Sequence, residues 1–167
     1  MYERIVLAYD SSIEGRSALR EGALLAKRYE AQVFLLAVVA DSPALHAADG
    51  LHPGVLFHQE DTARAVLEEG ARRLRELGFQ PVSKLVRGEP AQAIGAFARH
   101  VEASLVVVGH RRQSRFERWW SGSTGGYLMD HVGCSLLIAR STISDEQFEL
   151  EMQALDIAVP ANSQRGR

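Results

Sequence analysis

SLVVVGHRRQSRFERWWSGSTGGY, residues 104–127, is the stretch on which the reading of this chain turns. It opens with LVVV, a short β-branched run closed by Gly109, the pattern of a strand buried on both faces. Arg111, Arg112, Arg115 and Arg118 make the next segment basic, and Trp119 and Trp120 end it. Gly122-Ser123-Thr124-Gly125-Gly126 is a second break, with Ser123 and Thr124 placed as helix caps ahead of YLMDHV. Strand, glycine loop and helix start together suit a phosphate. Glycines let backbone N–H groups turn inward, and a helix N-terminus adds partial positive charge.

The segments before this stretch alternate in type. RIVLAY at 4–9 reads as a buried first strand, stopped by Asp10-Ser11-Ser12. Residues 13–29 carry Ala18, Leu19, Ala23, Leu24, Leu25 and Ala26 on one helical stripe, with Arg20, Glu21, Lys27 and Arg28 toward water. QVFLLAVV at 32–39 is a second buried strand. Residues 40–57 hold Asp41, Pro43, Gly50, Pro53 and Gly54 and read as irregular. Residues 61–77 form the clearest helix, with Gly78 as its stop. A third strand spans 81–86, and Gly88-Glu89-Pro90 opens a helix that runs to about His100, with proline in its first turn. The fourth strand is 105–108. A short helix within 122–131 and a fifth strand, SLLIA at 135–139, follow.

This order, βαβαβαβαβ, predicts an α/β, Rossmann-like doubly wound sheet of five parallel strands with about four helices, in three layers α/β/α. Ligands of such sheets bind beyond the carboxyl ends of the strands, where the strand order reverses. Asp10 and Gly109, at the ends of strands one and four, are therefore expected to face each other. Residues 1–140 read as one domain. Residues 141–167 read as a polar extension, helical over 145–155 under a Ser144 cap and then disordered.

Composition narrows the function classes. The 167 residues are 46% apolar and 24% charged, ordinary for a single globular domain. Nineteen Lys and Arg stand against 21 Asp and Glu, so neither nucleic acid nor a membrane surface is an expected partner. No apolar run approaches the ~20 residues that cross a bilayer. MYERIVLAYD has no basic segment leading into a long apolar one, so no signal peptide is expected. The single cysteine, Cys134, excludes an internal disulfide and fits a reducing, cytoplasmic setting, where its expected place is at the start of a buried strand.

RIVLAYDSS, LLAVV, VRGEPAQAI, and VVVGH through GST to CSLLIAR occur in an order that resembles the universal stress protein family over residues 1–140. The nucleotide-binding branch of that family carries glycine, two residues, glycine, nine residues, then Gly-Ser or Gly-Thr. Gly109 and Gly122-Ser123 match at that spacing, and Arg112 stands where the middle glycine belongs. The resemblance implies a small stress-response regulatory protein that binds an adenine nucleotide, ATP in the first place or else ADP or AMP. Mg²⁺ would accompany a triphosphate. It also implies a homodimer paired through the last strand, residues 135–140. Carried over by position, Asp10 would bond the nucleoside end and Val38 would lie against adenine. Gly109, Gly122, Ser123 and Thr124 would cradle the phosphates. Tyr9 and Ser11 beside Asp10, Val108 and His110 beside Gly109, and Arg112 complete the expected binding set.

Each of these residues has a plainer role to set against that one. Asp10 suits a turn or helix cap as well as a ribose. Arg112 either crowds the loop and abolishes binding, pairs with a phosphate, or is solvated surface. Trp119 and Trp120 read as one packed residue and one surface residue. His46, His52 and His58 lie six residues apart, share no helical face and have no cysteine beside them, so a metal site is not expected. A family member that binds no nucleotide and acts through dimerisation or protein partners is the alternative. A third reading is an enzyme on the same scaffold, but the loop Tyr9-Asp10-Ser11-Ser12 has neither a His-x-x-His pair nor a Ser-Gly-Gly-x-Asp-Ser loop. No nucleophile with its base stands out, which leaves at most slow ATP hydrolysis or autophosphorylation at Ser123 or Thr124.

Overall fold

The computed structural model describes residues 1–10, 12–40, 55–109, 128–139 and 143–158, with side chains omitted at 55–58 and 157–158. Expectations placed on Ser11, His46, His52, His110, Arg112, Trp119, Trp120, Gly122, Ser123, Thr124 and the chain after 158 lie outside the described residues.

Five strands form one sheet: β1 (Arg4–Ala8), β2 (Gln32–Ala40), β3 (Val82–Gly88), β4 (Leu105–Gly109) and β5 (Ser135–Ala139). Their spatial order is β3-β2-β1-β4-β5 and every pairing is parallel. The register sets Ile5 beside both Val33 and Leu105. The chain leaves β1 toward β2 on one side and returns as β4 on the other, so the strand order reverses between β1 and β4, as the sequence pattern implied. Parallel strands need crossovers long enough to span the sheet, and helices supply them. Five helices occur among the described residues: α1 (Ile13–Tyr29), α2 (Val55–Glu76), α3 (Pro90–His100), α4 (Leu128–His131) and α5 (Asp145–Ala158).

Side chains of β1 alternate between the two sheet faces. Ile5, Leu7 and Tyr9 pack with Leu35, Ala37 and Val107 beneath α1, α2 and α5. Val6 packs with Phe34, Leu36, Val106 and Val108 beneath α3 and α4. Ile5, Val6, Leu35, Leu36, Val106 and Val107 are fully buried. Such strands lose the polar–apolar alternation of a one-sided sheet and read as continuous apolar runs. The three-layer α/β/α arrangement follows.

Some helix boundaries differ from the sequence reading. α2 begins at Val55, not at 61, because the helix needs only the last turn formers, Pro53 and Gly54, to be behind it. Its end agrees with expectation: Gly78 has φ +87°, and the Phe79 amide donates to the Leu74 carbonyl at 3.0 Å. β3 starts at Val82, after Pro81, and runs to Gly88 because β2 continues to Ala40 and pairs with it there. In α3, Glu89 caps the first turn by accepting from the Gln92 amide at 2.9 Å.

α5 runs three residues beyond the expected end, from 155 to 158. Ser144 caps it, its Oγ accepting from the Gln147 amide at 3.2 Å. Phe148 and Met152, one turn apart, enter the core beside α1. Arg20 of α1 holds the start of α5, donating to the Ile143 carbonyl at 2.8 Å, pairing with Asp145 and lying over the Phe148 ring.

Candidate functional site

A cleft of about 310 Å³ opens at the carboxyl ends of β1 and β2. Tyr9 and Asp10 form one side, Ala37 through Ala40 another, and Gln59, Thr62, Ala63 and Val66 of α2 the third. Of the expected binding residues, the structure thus brings Tyr9, Asp10 and Val38 together on one surface. Val108 is elsewhere, buried in the core beneath α3 and α4.

Asp10 follows β1 directly, and its position depends on the start of α1. Ser12 is the N-cap of that helix, and its Oγ accepts from the Gly15 amide at 2.9 Å. Ser12 in turn donates to Asp10 Oδ1, from its amide at 3.1 Å and from its hydroxyl at 2.5 Å. Asp10 thus serves the turn before α1 and also lines the cleft: the capping network holds the carboxylate at the cleft edge. Aspartate suits both, as a short acceptor that reaches its own backbone two residues on.

Gly109 meets the same turn from the β4 side. A Cβ there would stand 2.5 Å from the carbonyl carbon and oxygen of Glu14 and 2.8 Å from the Gly15 nitrogen. A Cβ at Gly15 would stand 2.4 Å from Asp10 Oδ1. Asp10 and Gly109 thus approach the first turn of α1 from the two strands that flank the reversal. Gly109 is required there because strand and helix backbones nearly touch.

Beneath the cleft, the Tyr9 hydroxyl donates to the Glu69 carboxylate, which also accepts from Arg73 Nε. Burial and this bond to Glu69 hold the Tyr9 phenol well above its ordinary value of 10.0. Burial alone would raise the Glu69 carboxyl. The hydrogen bonds from Tyr9 and Arg73, with the charges of Arg73 and Arg16, outweigh it and hold Glu69 below its ordinary 4.5. A second, polar groove of about 350 Å³ borders the first at Val39, where Glu60 pairs with both Arg64 and Arg87.

The α2 wall was not legible in the sequence as part of a site. Its one signal is Gly70, a glycine inside a long helix, where a close contact is the usual physical reason. Cys134 is half-buried just before β5, and burial raises its thiol. Among the described residues no three His, Cys, Asp or Glu side chains converge on a metal site, and no helix is long and apolar enough to cross a membrane.

A model of the universal stress protein family matches residues 1–140. This chain belongs to the universal stress protein family. It is similar to a universal stress protein of Methanocaldococcus jannaschii, 25% identical over 141 residues that cover 84% of this chain and 83% of that one. A universal stress protein of Synechocystis sp. is 27% identical over 151 residues, with 83% of this chain and 98% of the other covered. Among solved structures, the fold matches a universal stress protein in complex with cAMP at a TM-score of 0.61, 23% identity, and coverage of 85% and 99%. It matches an Arabidopsis thaliana universal stress protein with AMP bound at 0.57, 18% identity, and 86% and 94% coverage. It matches the Archaeoglobus fulgidus protein in complex with dAMP at 0.58, 19% identity, and 83% and 98% coverage. α5 lies past the part of the chain that the family match covers.

Proposed function

We propose that this universal stress protein binds an adenine nucleotide at the carboxyl edge of its sheet and serves a regulatory role in the stress response. The observation that carries the reading is the cleft between β1, β2 and α2, with Asp10 held at its edge and Val38 on its wall. At about 310 Å³ it is at the small end of ligand pockets, a size suited to a nucleoside. The carboxylate of Asp10 is a fitting acceptor for ribose hydroxyls. The family relatives solved with cAMP, AMP and dAMP support an adenine ligand. In this reading Tyr9, Asp10, Ser11 and Val38 take the nucleoside end. Gly109, His110, Arg112, Gly122, Ser123 and Thr124 take the phosphates, and Val108 supports Gly109 from the core. Residues 110–124 carry Arg111, Arg112, Arg115 and Arg118, and that charge favours ATP, with Mg²⁺ bridging its phosphate oxygens. In this reading the protein works in the cytoplasm, with at most slow ATP hydrolysis or autophosphorylation as chemistry of its own.

Calorimetric titration with ATP, ADP, AMP and cAMP, with and without Mg²⁺, tests this. Micromolar binding of at least one is expected, and no heat at millimolar ligand would sink it.

One observation favours dimerisation as a second component of function. β5 is an edge strand of the sheet, with Leu136, Leu137 and Ile138 only partly buried. Pairing of residues 135–140 with a second copy would cover both the edge and those side chains. Sedimentation equilibrium is expected to give twice the 18.4 kDa chain mass; a monomer at micromolar concentration excludes it.

A further inference from the structure

A side-chain hydrogen bond ties the α2 wall of the cleft to β1. Tyr9 is only 3% exposed, and its hydroxyl reaches across to Glu69 of α2. The other oxygen of that carboxylate accepts from Arg73, so Glu69 is held on its own helix and on the strand at once. Gly70, the next residue, rests on the Tyr9 ring. A Cβ there would stand 2.7 and 2.8 Å from two ring carbons and 3.1 Å from Leu35 Cδ2. Ring and helix backbone are therefore in direct contact, and the ring cannot retreat into a filled core. Val66 precedes Gly70 by about one helical turn and Gln59 by about three. The cleft-lining half of α2 thus projects from this anchor as one rigid piece.

We infer that Tyr9, Glu69 and Gly70 form a clamp that sets the width of the nucleoside cleft, with Glu69 as a positioning residue and Tyr9 both lining the cleft and holding α2. The identity of the ligand rests on the nucleotide-binding reading above; the mechanical part does not. Tyr9→Phe removes the strand–helix bond but leaves the Glu69–Arg73 pair and the ring in place. Gly70→Ala keeps the bond's partners but wedges the helix outward. Glu69→Gln retains an oxygen that accepts from the phenol.

Amide hydrogen exchange on the ligand-free protein is the first test. Tyr9→Phe should speed exchange at residues 59–66 about tenfold, the effect of one lost buried bond, with α1 and α3 unchanged. AMP titration is the second. Tyr9→Phe and Gly70→Ala should lower affinity about tenfold, and Glu69→Gln less than threefold. The preference for AMP over the bulkier N6-benzyl-AMP should also fall in the first two, which mere loss of stability would not cause. Unchanged exchange at 59–66 in Tyr9→Phe overturns the clamp. So does equal AMP affinity and selectivity in wild type and Tyr9→Phe. Faster exchange in Tyr9→Phe together with no AMP binding by the wild type leaves the clamp standing and removes the nucleotide reading. Tyr9→Phe carries the test alone if Gly70→Ala does not fold.

Discussion

Gly109 at the end of β4 lies against the backbone of Glu14, close enough that a Cβ would stand 2.5 Å from the Glu14 carbonyl. Gly109 is thus a packing residue in the structure. It lets the sheet approach α1 at the point where the strand order reverses. A methyl group has no space there unless helix or strand moves.

Gly109→Ala is accordingly expected to destabilise the fold by about 2 kcal/mol, the range of overpacking at a rigid contact. Gly78→Ala is a useful comparison. Gly78 has φ +87°, but a Cβ there would meet nothing within 4 Å, so only the left-handed backbone costs, about 1 kcal/mol. Urea denaturation of the two variants should rank them in that order; equal losses would mean that the β4–α1 contact relaxes freely.

Asp10→Asn separates the turn role from the ligand role. An amide oxygen still accepts from Ser12, so the midpoint of urea unfolding should stay within about 0.5 kcal/mol of wild type. Affinity for AMP should fall about tenfold, because the charged acceptor for ribose is gone. Ser12→Ala is the reverse case. It removes the α1 cap at a cost of about 1 kcal/mol, and Asp10 loses the hydroxyl that helps to hold it. Parallel melting and titration of both variants check the pattern.

The Tyr9–Glu69 pair makes stability depend on pH at both ends of the scale. The Tyr9 phenol is raised in the fold, so its contribution is complete below 10.0, where the unfolded chain also keeps the proton, and is lost as pH rises beyond that. The Glu69 carboxyl is lowered, so its contribution is present above 4.5 and is lost as pH falls below it. Tyr9→Phe should flatten the alkaline limb. Glu69→Gln should flatten part of the acid limb. Chemical denaturation from about pH 3 to about pH 11, which brackets both ordinary values, reads both limbs. Identical profiles for wild type and Tyr9→Phe would contradict the assignment.

α5 should behave as a part of the core and not as an appendage. Phe148 is 8% exposed and packs with the residues beneath α1, so Phe148→Ala is expected to cost about 3 kcal/mol. Arg20→Ala removes a half-exposed ion pair and a cation–π contact, for about 1 kcal/mol. Thermal melting checks both; an unchanged melting temperature for Phe148→Ala would mean that α5 is not docked in solution.

Much of this was readable from local pattern. Runs such as LVVV at 105–108 and QVFLLAVV at 32–39 mark buried parallel strands because both faces are covered. Glu89-Pro90 and Gly78 mark helix ends because their backbone chemistry allows little else. The start of α2 was not legible, since Val55 through Glu60 contain neither a cap signal nor a breaker. Nor was the docking of α5. Phe148 and Met152 are a stripe of two in an acidic helix, too little to reveal which surface they cover.

Pattern along the chain was enough for the order of strands and helices, the parallel sheet, and the positions of Asp10 and Gly109 at the ends of β1 and β4. Those follow from periodicity and turn chemistry, which act over a few residues. It took the packed molecule to establish that Asp10 and Gly109 meet the same turn of α1, and that Tyr9 of β1 is fastened to Glu69 of α2. Each of those relations joins residues about 60 to 100 positions apart. Nothing in either segment alone specifies them. They arise because a fixed strand register and a filled core leave each helix one place to lie, and the cleft is what those placements enclose.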